Sequence, residues 1–101
     1  MKETNIQNEI RIALSHHGIV FRMNTGFFRT ETGQMVKCGF PGMSDLLFVG
    51  QGFTAWIEVK KPGGRVSKEQ IRFIEQMRAK GHKAGIAYCV EDAIRIIKEA
   101  I

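Results

Sequence analysis

The sequence predicts an α/β domain with a mixed β-sheet flanked by helices, in the order αβββαβα. Three observations support this fold class: helical periodicity in three separate segments, a glycine-rich hairpin signal at 50–52, and a long segment at 55–88. That segment has the pattern strand–helix–strand and is long enough for a right-handed parallel crossover. The chain has 101 residues, which fits one domain of ordinary size. We therefore expect residues 1–101 to form a single domain.

The first helix is predicted at residues 2–17. Its inward-facing residues recur at helical spacing and are Ile6, Ile10, Ala13, Leu14 and His17. Thr4 or Asn5 is expected to cap its start, and Gly18 to end it. Glu9 lies at the border of this apolar stripe, so its carboxylate could reach a cleft at the edge of the domain.

Short runs rich in β-forming residues follow the first helix. The first strand is predicted at 19–24, and the runs at 27–30 and 35–37 are counted with it as one bent unit. The second and third strands are expected at 46–49 and 54–60. The glycines at 50–52 predict a hairpin between them, which makes them antiparallel neighbours.

The second helix is predicted to begin at Ser67, which forms an S-x-x-Q capping box with Gln70. Its expected apolar residues are Ile71, Phe73, Ile74 and Met77. A last strand at 83–89 and a last helix at 91–100 complete the order. The runs 46–49 and 85–88 are almost entirely apolar, which predicts central strands covered on both faces.

The charge balance indicates a polyanionic partner. The chain has 15 Lys+Arg against 10 Asp+Glu, a formal net charge of +5, and such a surplus is typical of nucleic-acid binding. The excess lies in the middle of the chain, where the candidate DNA contacts are Arg22, Arg29, Lys37, Lys61, Arg65 and Lys68.

Secretion and membrane insertion are not expected. The N-terminus is polar with no apolar signal region, and the longest uncharged stretch, 46–57, is shorter than a membrane helix requires. Cys38 and Cys89 form no metal-binding spacing. We expect a cytoplasmic protein with reduced thiols and no membrane partner.

The most informative residues for chemistry are Asp45, Glu58 and Lys60. Antiparallel pairing of the two hairpin strands would place Asp45 beside Glu58, and strand alternation puts Glu58 and Lys60 on one face. Two adjacent carboxylates suit a hard cation such as Mg²⁺. The lysine could orient or deprotonate an attacking water, or stabilise developing negative charge. Taken separately, an E-x-K pair can be a solvated ion pair and Asp45 a turn residue.

The stretch 42–70 resembles the PD-(D/E)xK nuclease core, and in detail the stand-alone form of the VRR-NUC (virus-type replication-repair nuclease) family. The matching segments are PGMSD at 41–45, WIEVK at 56–60 and SKEQ at 67–70. The resemblance implies a restriction-endonuclease-like fold and a divalent-metal-dependent DNA endonuclease. It assigns Asp45 and Glu58 as metal ligands together with the Val59 carbonyl, and Lys60 as the catalytic lysine.

The resemblance also implies roles for two further side chains. Glu9 would be the acid of the first helix that completes the metal site; a surface glutamate is the alternative interpretation, and Glu3 is the alternative acid. Gln70 would act near the active site, an assignment compatible with its role in the capping box.

The implied substrate is branched DNA, such as a four-way (Holliday) junction, and the implied cofactor is Mg²⁺ or Mn²⁺. Symmetric cutting of a junction requires two active sites, so we expect a twofold homodimer. The expected setting is DNA repair in the cytoplasm of a bacterial or phage-infected cell.

Two alternatives remain at this stage. A basic DNA-binding or assembly module without catalysis would have the same positive charge, but carboxylates on a DNA-facing surface weaken phosphate binding unless a cation is present. A restriction-type or RNA-directed nuclease would need base readout, for which a chain of this length leaves little room.

Overall fold

The computed structural model of the protein describes residues 2–23 and 26–100. Within these residues the chain forms three helices and six strands. In order they are α1 (Glu3–Leu14), β1 (Ile19–Arg22), β2 (Gly26–Arg29), β3 (Met35–Cys38), β4 (Leu46–Val49), β5 (Thr54–Val59), α2 (Lys68–Ala79), β6 (Lys83–Ala87) and α3 (Val90–Lys98).

The main sheet has four strands in the order β1-β4-β5-β6. β4 pairs antiparallel with both β1 and β5, whereas β5 and β6 are parallel. The predicted hairpin and the predicted parallel crossover are therefore confirmed. With the β2–β3 hairpin set apart, the element order is αβββαβα, so the predicted fold class is confirmed.

The sheet has a different partner on each face. α1 and α3 cover one face and contact each other, and the core between them and the sheet is built from aliphatic residues and Phe48. On the other face, α2 packs on β5 and β6. Trp56 and Glu58 project toward α2, because alternate residues of a strand share a face and both contact α2 side chains.

The hairpin of β2 and β3 differs from the prediction that these runs continue the first strand. The two strands pair with each other as a separate two-stranded sheet. A tight turn closes this sheet, in which the Thr30 N–H donates to the Gln34 carbonyl and Gly33 has a φ of 85°. Because β2 and β3 form their strand hydrogen bonds with each other, the hairpin is a separate sheet and does not extend β1.

The last strand also lies elsewhere than predicted. In the part of the sheet that is described, β6 is an edge strand and not a central one. Its residues are nevertheless apolar because α2 and α3 cover its two faces. Helix coverage, and not a central position, explains this apolar run.

The helices match their predictions in place but not in every detail. α1 ends at Leu14, with Lys2 and not Thr4 or Asn5 in the capping position, and His17 is exposed outside the helix. On α2, Phe73 is buried whereas Ile71 is exposed. None of the helices in residues 2–23 and 26–100 has the length and apolarity required to cross a membrane.

Candidate active site

Asp45 is fixed at the start of β4 by its two neighbouring strands. The register pairs Leu46 with Ile57, so the preceding Asp45 comes level with Glu58. One carboxylate oxygen, Asp45 Oδ2, accepts a hydrogen bond of 2.8 Å from the Val59 N–H. On the other side the Met23 N–H donates to the Asp45 carbonyl, also at 2.8 Å.

Glu58 is the most deeply buried charged residue of this site, with 2% of its surface exposed. Its Oε2 accepts a hydrogen bond of 3.1 Å from Gln70 Nε2. The same oxygen lies 3.7 Å from Lys60 Nζ. Its other oxygen, Oε1, is buried and has no hydrogen-bond partner among the described residues. Since buried polar atoms are nearly always satisfied, this oxygen calls either for a proton shared with Asp45 or for a ligand.

The surroundings of Glu58 make its charged form unfavourable. Several causes together raise the pKa of Glu58 from 4.5 to about 8, and burial is the largest of them. The negative charge of Asp45 and a hydrogen bond between the two carboxyl groups act in the same direction, while Lys60 lowers this pKa. Near neutral pH the acidic pair therefore holds a proton unless a cation replaces it.

Gln70 joins the start of α2 to the acidic pair. Its backbone N–H donates to Ser67 Oγ at 3.1 Å, and its Oε1 accepts from the Ser67 N–H at 2.9 Å. These two bonds are the predicted capping box, which is confirmed. The remaining amide nitrogen binds Glu58, so one side chain caps the helix and contacts the site.

The backbone conformation and the close packing at position 42 explain why this residue of the PGMSD segment is a glycine. Its φ is 77°, a conformation that other residues rarely adopt. A Cβ atom at this position would overlap the carbonyl group of Glu69 on α2. Close packing of the chain at residue 42 against the start of α2 sets the approach of β4 to that helix.

The acid of α1 that acts on Glu58 is Glu3. Its charge is the smallest of the causes that raise the pKa of Glu58. Glu3 lies one turn before the buried Ile6 and on the same helix face, whereas Glu9 is exposed and sits about 100° around the helix from Ile10. Extending the apolar arc one turn toward the N-terminus places Glu3 on the buried face of the helix, although this spacing does not give its distance from Glu58. The role assigned to Glu9 stays a prediction.

The donor set fits a magnesium-type ion better than a transition metal. Within residues 2–23 and 26–100, no three His, Cys, Asp or Glu residues lie close enough to hold one ion together. Asp45 and Glu58 supply two carboxylates, and the carbonyl of the neighbouring Val59 stays a predicted third ligand. Mg²⁺ is commonly bound by one or two carboxylates and completed by waters. The unpartnered Glu58 Oε1 is the observation that supports such a ligand.

Two of the predicted DNA contacts lie close to this site. Arg22 ends β1 opposite Leu46, beside Asp45, and Lys68 begins α2. The side chains of Arg22, Arg29, Lys61, Arg65 and Lys68 are all exposed. The Lys37 side chain lies outside the part of the chain that is described. Contact with DNA stays a prediction for all six.

Two comparisons with known proteins agree with this architecture. The family model described as VRR-NUC domain matches residues 1–91. A solved structure described as a VRR_NUC domain superposes with a TM-score of 0.69, covering 98% of this chain and 97% of that chain. Its sequence identity of 20% makes this a likeness of fold. No curated protein is similar enough to this chain to count as a match.

Proposed function

The chain belongs to the VRR-NUC domain family, and on this basis we propose that it is a Mg²⁺-dependent endonuclease that cuts branched DNA such as four-way junctions. The family is a nuclease family, so DNA is the general partner and nuclease chemistry the general activity. In this proposal, residues 1–101 form one nuclease domain.

The unsatisfied oxygen of Glu58 is the observation that most directly supports the proposal. A buried carboxylate oxygen without a partner is unfavourable, and a second carboxylate beside it adds repulsion. A divalent cation held by Asp45 and Glu58 would remove both penalties. A purely structural acidic pair would satisfy Oε1 only by sharing a proton with Asp45, whereas a cation would satisfy it with both acids charged.

Three groups would hold the ion: the carboxylates of Asp45 and Glu58 and the carbonyl of Val59. A bound divalent ion supplies a Lewis acid that stabilises negative charge on a phosphoryl oxygen. The Val59 N–H holds Asp45 through Oδ2, and the Gln70 amide holds Glu58 through Oε2. The remaining oxygens of both acids are thereby directed to the ligand by fixed hydrogen bonds.

Lys60 acts on the reacting groups from its position next to Glu58. Hydrolysis of a phosphodiester needs a water to attack phosphorus and negative charge to build on the phosphoryl oxygens. The Lys60 amine either orients and deprotonates this water or stabilises that charge. A Lys60→Arg variant separates the two roles, because arginine keeps the positive charge but does not give up its proton.

The active assembly is a homodimer in this proposal. A four-way junction is resolved by two symmetric cuts, and one chain supplies one acidic pair. A twofold dimer presents two identical sites to the two strands.

The test is a cleavage assay on linear duplex, single-stranded, flap, splayed-arm and four-way-junction DNA with Mg²⁺ or Mn²⁺. Lys60→Ala and Asp45→Asn are assayed in parallel, with Lys98→Ala as a matched control at an exposed lysine on α3. We expect paired nicks in the junction that fall by at least about 100-fold in the two site variants and persist in the control.

The contrary result is equally clear. If wild type and Lys60→Ala both bind the four-way junction tightly and neither cleaves any substrate, the nuclease proposal is refuted and the chain is a DNA-binding module. Cleavage that survives Asp45→Asn would refute the site assignment while leaving the activity in place.

A further inference from the structure

A small aromatic pocket lies next to the acidic pair and has no part in the mechanism above. Its volume is about 250 Å³. It lies between the segment that precedes β4 and the first three turns of α2. Its lining residues are Phe40, Pro41, Glu69, Arg72, Phe73 and Gln76. We call it the aromatic pocket.

Two short connections join the aromatic pocket to the acidic pair. On β5, Trp56 and Glu58 are two residues apart on the same face, and Trp56 packs edge-on against Phe73 at 5.0 Å between ring centroids. On α2, Phe73 is three residues beyond Gln70, which binds Glu58. Residues three apart on a helix have Cβ atoms about 5–6 Å apart. The pocket is thus one side chain away from the carboxylates.

The exposure of the two phenylalanines differs greatly. Phe73 is 4% exposed and forms the inner wall of the pocket, whereas Phe40 is 58% exposed. The two rings are 6.1 Å apart and tilted by 51°. Phe40 therefore keeps much of its ring surface open to a ligand.

The chemistry of the pocket suits one flat aromatic ring with polar edges. Its volume lies below the range of about 300–1,000 Å³ typical of sites for drug-sized ligands. The lining includes three exposed polar residues, Arg72, Gln76 and Glu69, whose side chains carry a guanidinium, an amide and a carboxylate. An aromatic wall with mixed donors and acceptors in the lining matches a nucleobase, which has a π-face and a hydrogen-bonding edge.

We propose that the aromatic pocket receives one unstacked nucleobase from the DNA strand whose phosphate lies at Asp45 and Glu58. The inference rests on the proposed function, because it requires DNA at that acidic pair. The base next to the cut is tied to the scissile phosphate by one sugar, so it must lie close to the carboxylates, as this pocket does. Arg72 in the lining provides positive charge for a neighbouring phosphate.

Base capture also explains a preference for branched DNA. Every base has a π-face, so stacking on Phe40 is tolerant of sequence. Withdrawing a base from an intact duplex costs stacking and pairing energy, and this cost is lowest where the duplex is already interrupted. The pocket therefore selects branch points over continuous duplex without reading sequence.

The first measurement uses 2-aminopurine, a fluorescent base analogue whose emission reports on stacking. Junctions carry one 2-aminopurine at each position within two nucleotides of the cut, or along the branch if no cut is found. They are titrated with Lys60→Ala protein in Mg²⁺, which keeps the DNA intact. We expect one position to respond, and the response to be lost when Phe40→Ala is added to the Lys60→Ala background.

The decisive measurement is a double-mutant cycle between Phe40 and that base. Removing the base to leave an abasic site should weaken binding to Lys60→Ala protein by about 5- to 150-fold. Adding Phe40→Ala should weaken binding of intact DNA by a similar factor. The two losses should not multiply, because they remove the same contact. Phe40→Tyr should retain the stacking, Phe40→Leu should lose it, and Ile12→Ala serves as a control at an exposed apolar residue of α1.

The failures of the two proposals are distinguishable. If wild type cuts junctions but the cycle is additive and no position depends on Phe40, the base pocket is refuted and the nuclease stands. If wild type cuts nothing, the nuclease is refuted. If the protein then binds junctions but no 2-aminopurine position gives a fluorescence response that depends on Phe40, the base pocket is refuted as well. Since Phe40 is largely exposed, its variants should fold, which equal thermal midpoints would verify.

Discussion

Glu58 holds a carboxyl group where its negative charge is unfavourable in the absence of a cation. Its folded-state pKa of about 8 lies above the ordinary value of 4.5, chiefly because of burial. The folded protein therefore binds this proton more tightly than the unfolded chain does. By linkage, the stability that Glu58 contributes is fully present below about pH 4.5 and is lost as pH rises through about 8.

The Glu58→Gln variant tests this linkage. The amide cannot ionise, so between pH 5 and 8, without divalent ions, we expect wild type to lose thermal stability relative to the variant. Mg²⁺ at pH 8 should raise the unfolding midpoint of wild type and leave that of Glu58→Gln nearly unchanged. Circular-dichroism melting curves measure both effects, with Glu75→Gln on the exposed side of α2 as the control. If the unfolding midpoints of wild type and Glu58→Gln change in parallel between pH 5 and 8, the pKa of Glu58 is not raised in the folded protein.

The two acids of α1 make a matched comparison. Glu3 influences Glu58 and lies on the buried face of the helix, whereas Glu9 is exposed. We expect Glu3→Gln to weaken Mn²⁺ binding by about tenfold or more, and Glu9→Gln to leave it unchanged. Calorimetric titration of each variant with Mn²⁺ provides the measurement. If only Glu9→Gln weakens Mn²⁺ binding, Glu9 and not Glu3 is the acid of α1 that completes the metal site.

At the scale of elements, the start of α2 combines a stabilising cap with the support of the acidic pair. Both halves of the capping box are formed between Ser67 and Gln70. The amide nitrogen of Gln70 then reaches Glu58. A substitution of Gln70 therefore affects both the helix cap and the acidic pair, whereas a substitution of Ser67 affects the cap.

Comparing Ser67→Ala with Gln70→Ala separates these two functions. Loss of an N-cap hydroxyl costs about 1 kcal/mol, which lowers the unfolding midpoint of a domain of this size by roughly 4–8 °C. Both variants should show a loss of this order. Cleavage should stay near wild type in Ser67→Ala and fall by about 10- to 100-fold in Gln70→Ala, which also leaves Glu58 without its hydrogen bond. Equal losses of cleavage would mean that the cap alone positions the site.

The elements that could be predicted from sequence are those set by local signals. Gly50 and Gly52 predict the β4–β5 turn, and Ser67 with Gln70 predicts the start of α2. The separate β2–β3 sheet and the edge position of β6 could not be predicted, because strand order depends on which partners the folded chain brings together. The burial of Phe73 in place of Ile71 likewise follows from the contact of Phe73 with Trp56.

The same division holds within the candidate site. Strand alternation and the hairpin register predict that Asp45, Glu58 and Lys60 meet, since both rules are local. The unpartnered oxygen of Glu58 and the influence of Glu3 arise from how α2 and the first turn of α1 pack at the end of the sheet. No spacing in the sequence encodes those distances.

At the scale of the whole molecule, the sheet is covered unevenly. β1 is an edge strand in the described part of the sheet, and α2 packs at the opposite end, on β5 and β6. On the α2 side of the sheet, Ile19 and Phe21 are 60% and 48% exposed. An apolar edge strand invites pairing with another strand. A second copy pairing there through a twofold axis would use the same surface on both chains.

The Phe21→Glu variant tests whether this surface forms the proposed dimer. We expect wild type to sediment at twice the mass of one chain at micromolar concentration, and the variant to sediment as a monomer. Because Phe21 is half exposed, its replacement should change stability by little. The monomer should nick junctions singly and not in pairs, because each encounter then delivers one acidic pair. Ile12→Glu, at an exposed position on α1, should remain dimeric. A wild-type protein that is monomeric under conditions of paired cutting would refute the dimer, since the two cuts would then come from independent binding events.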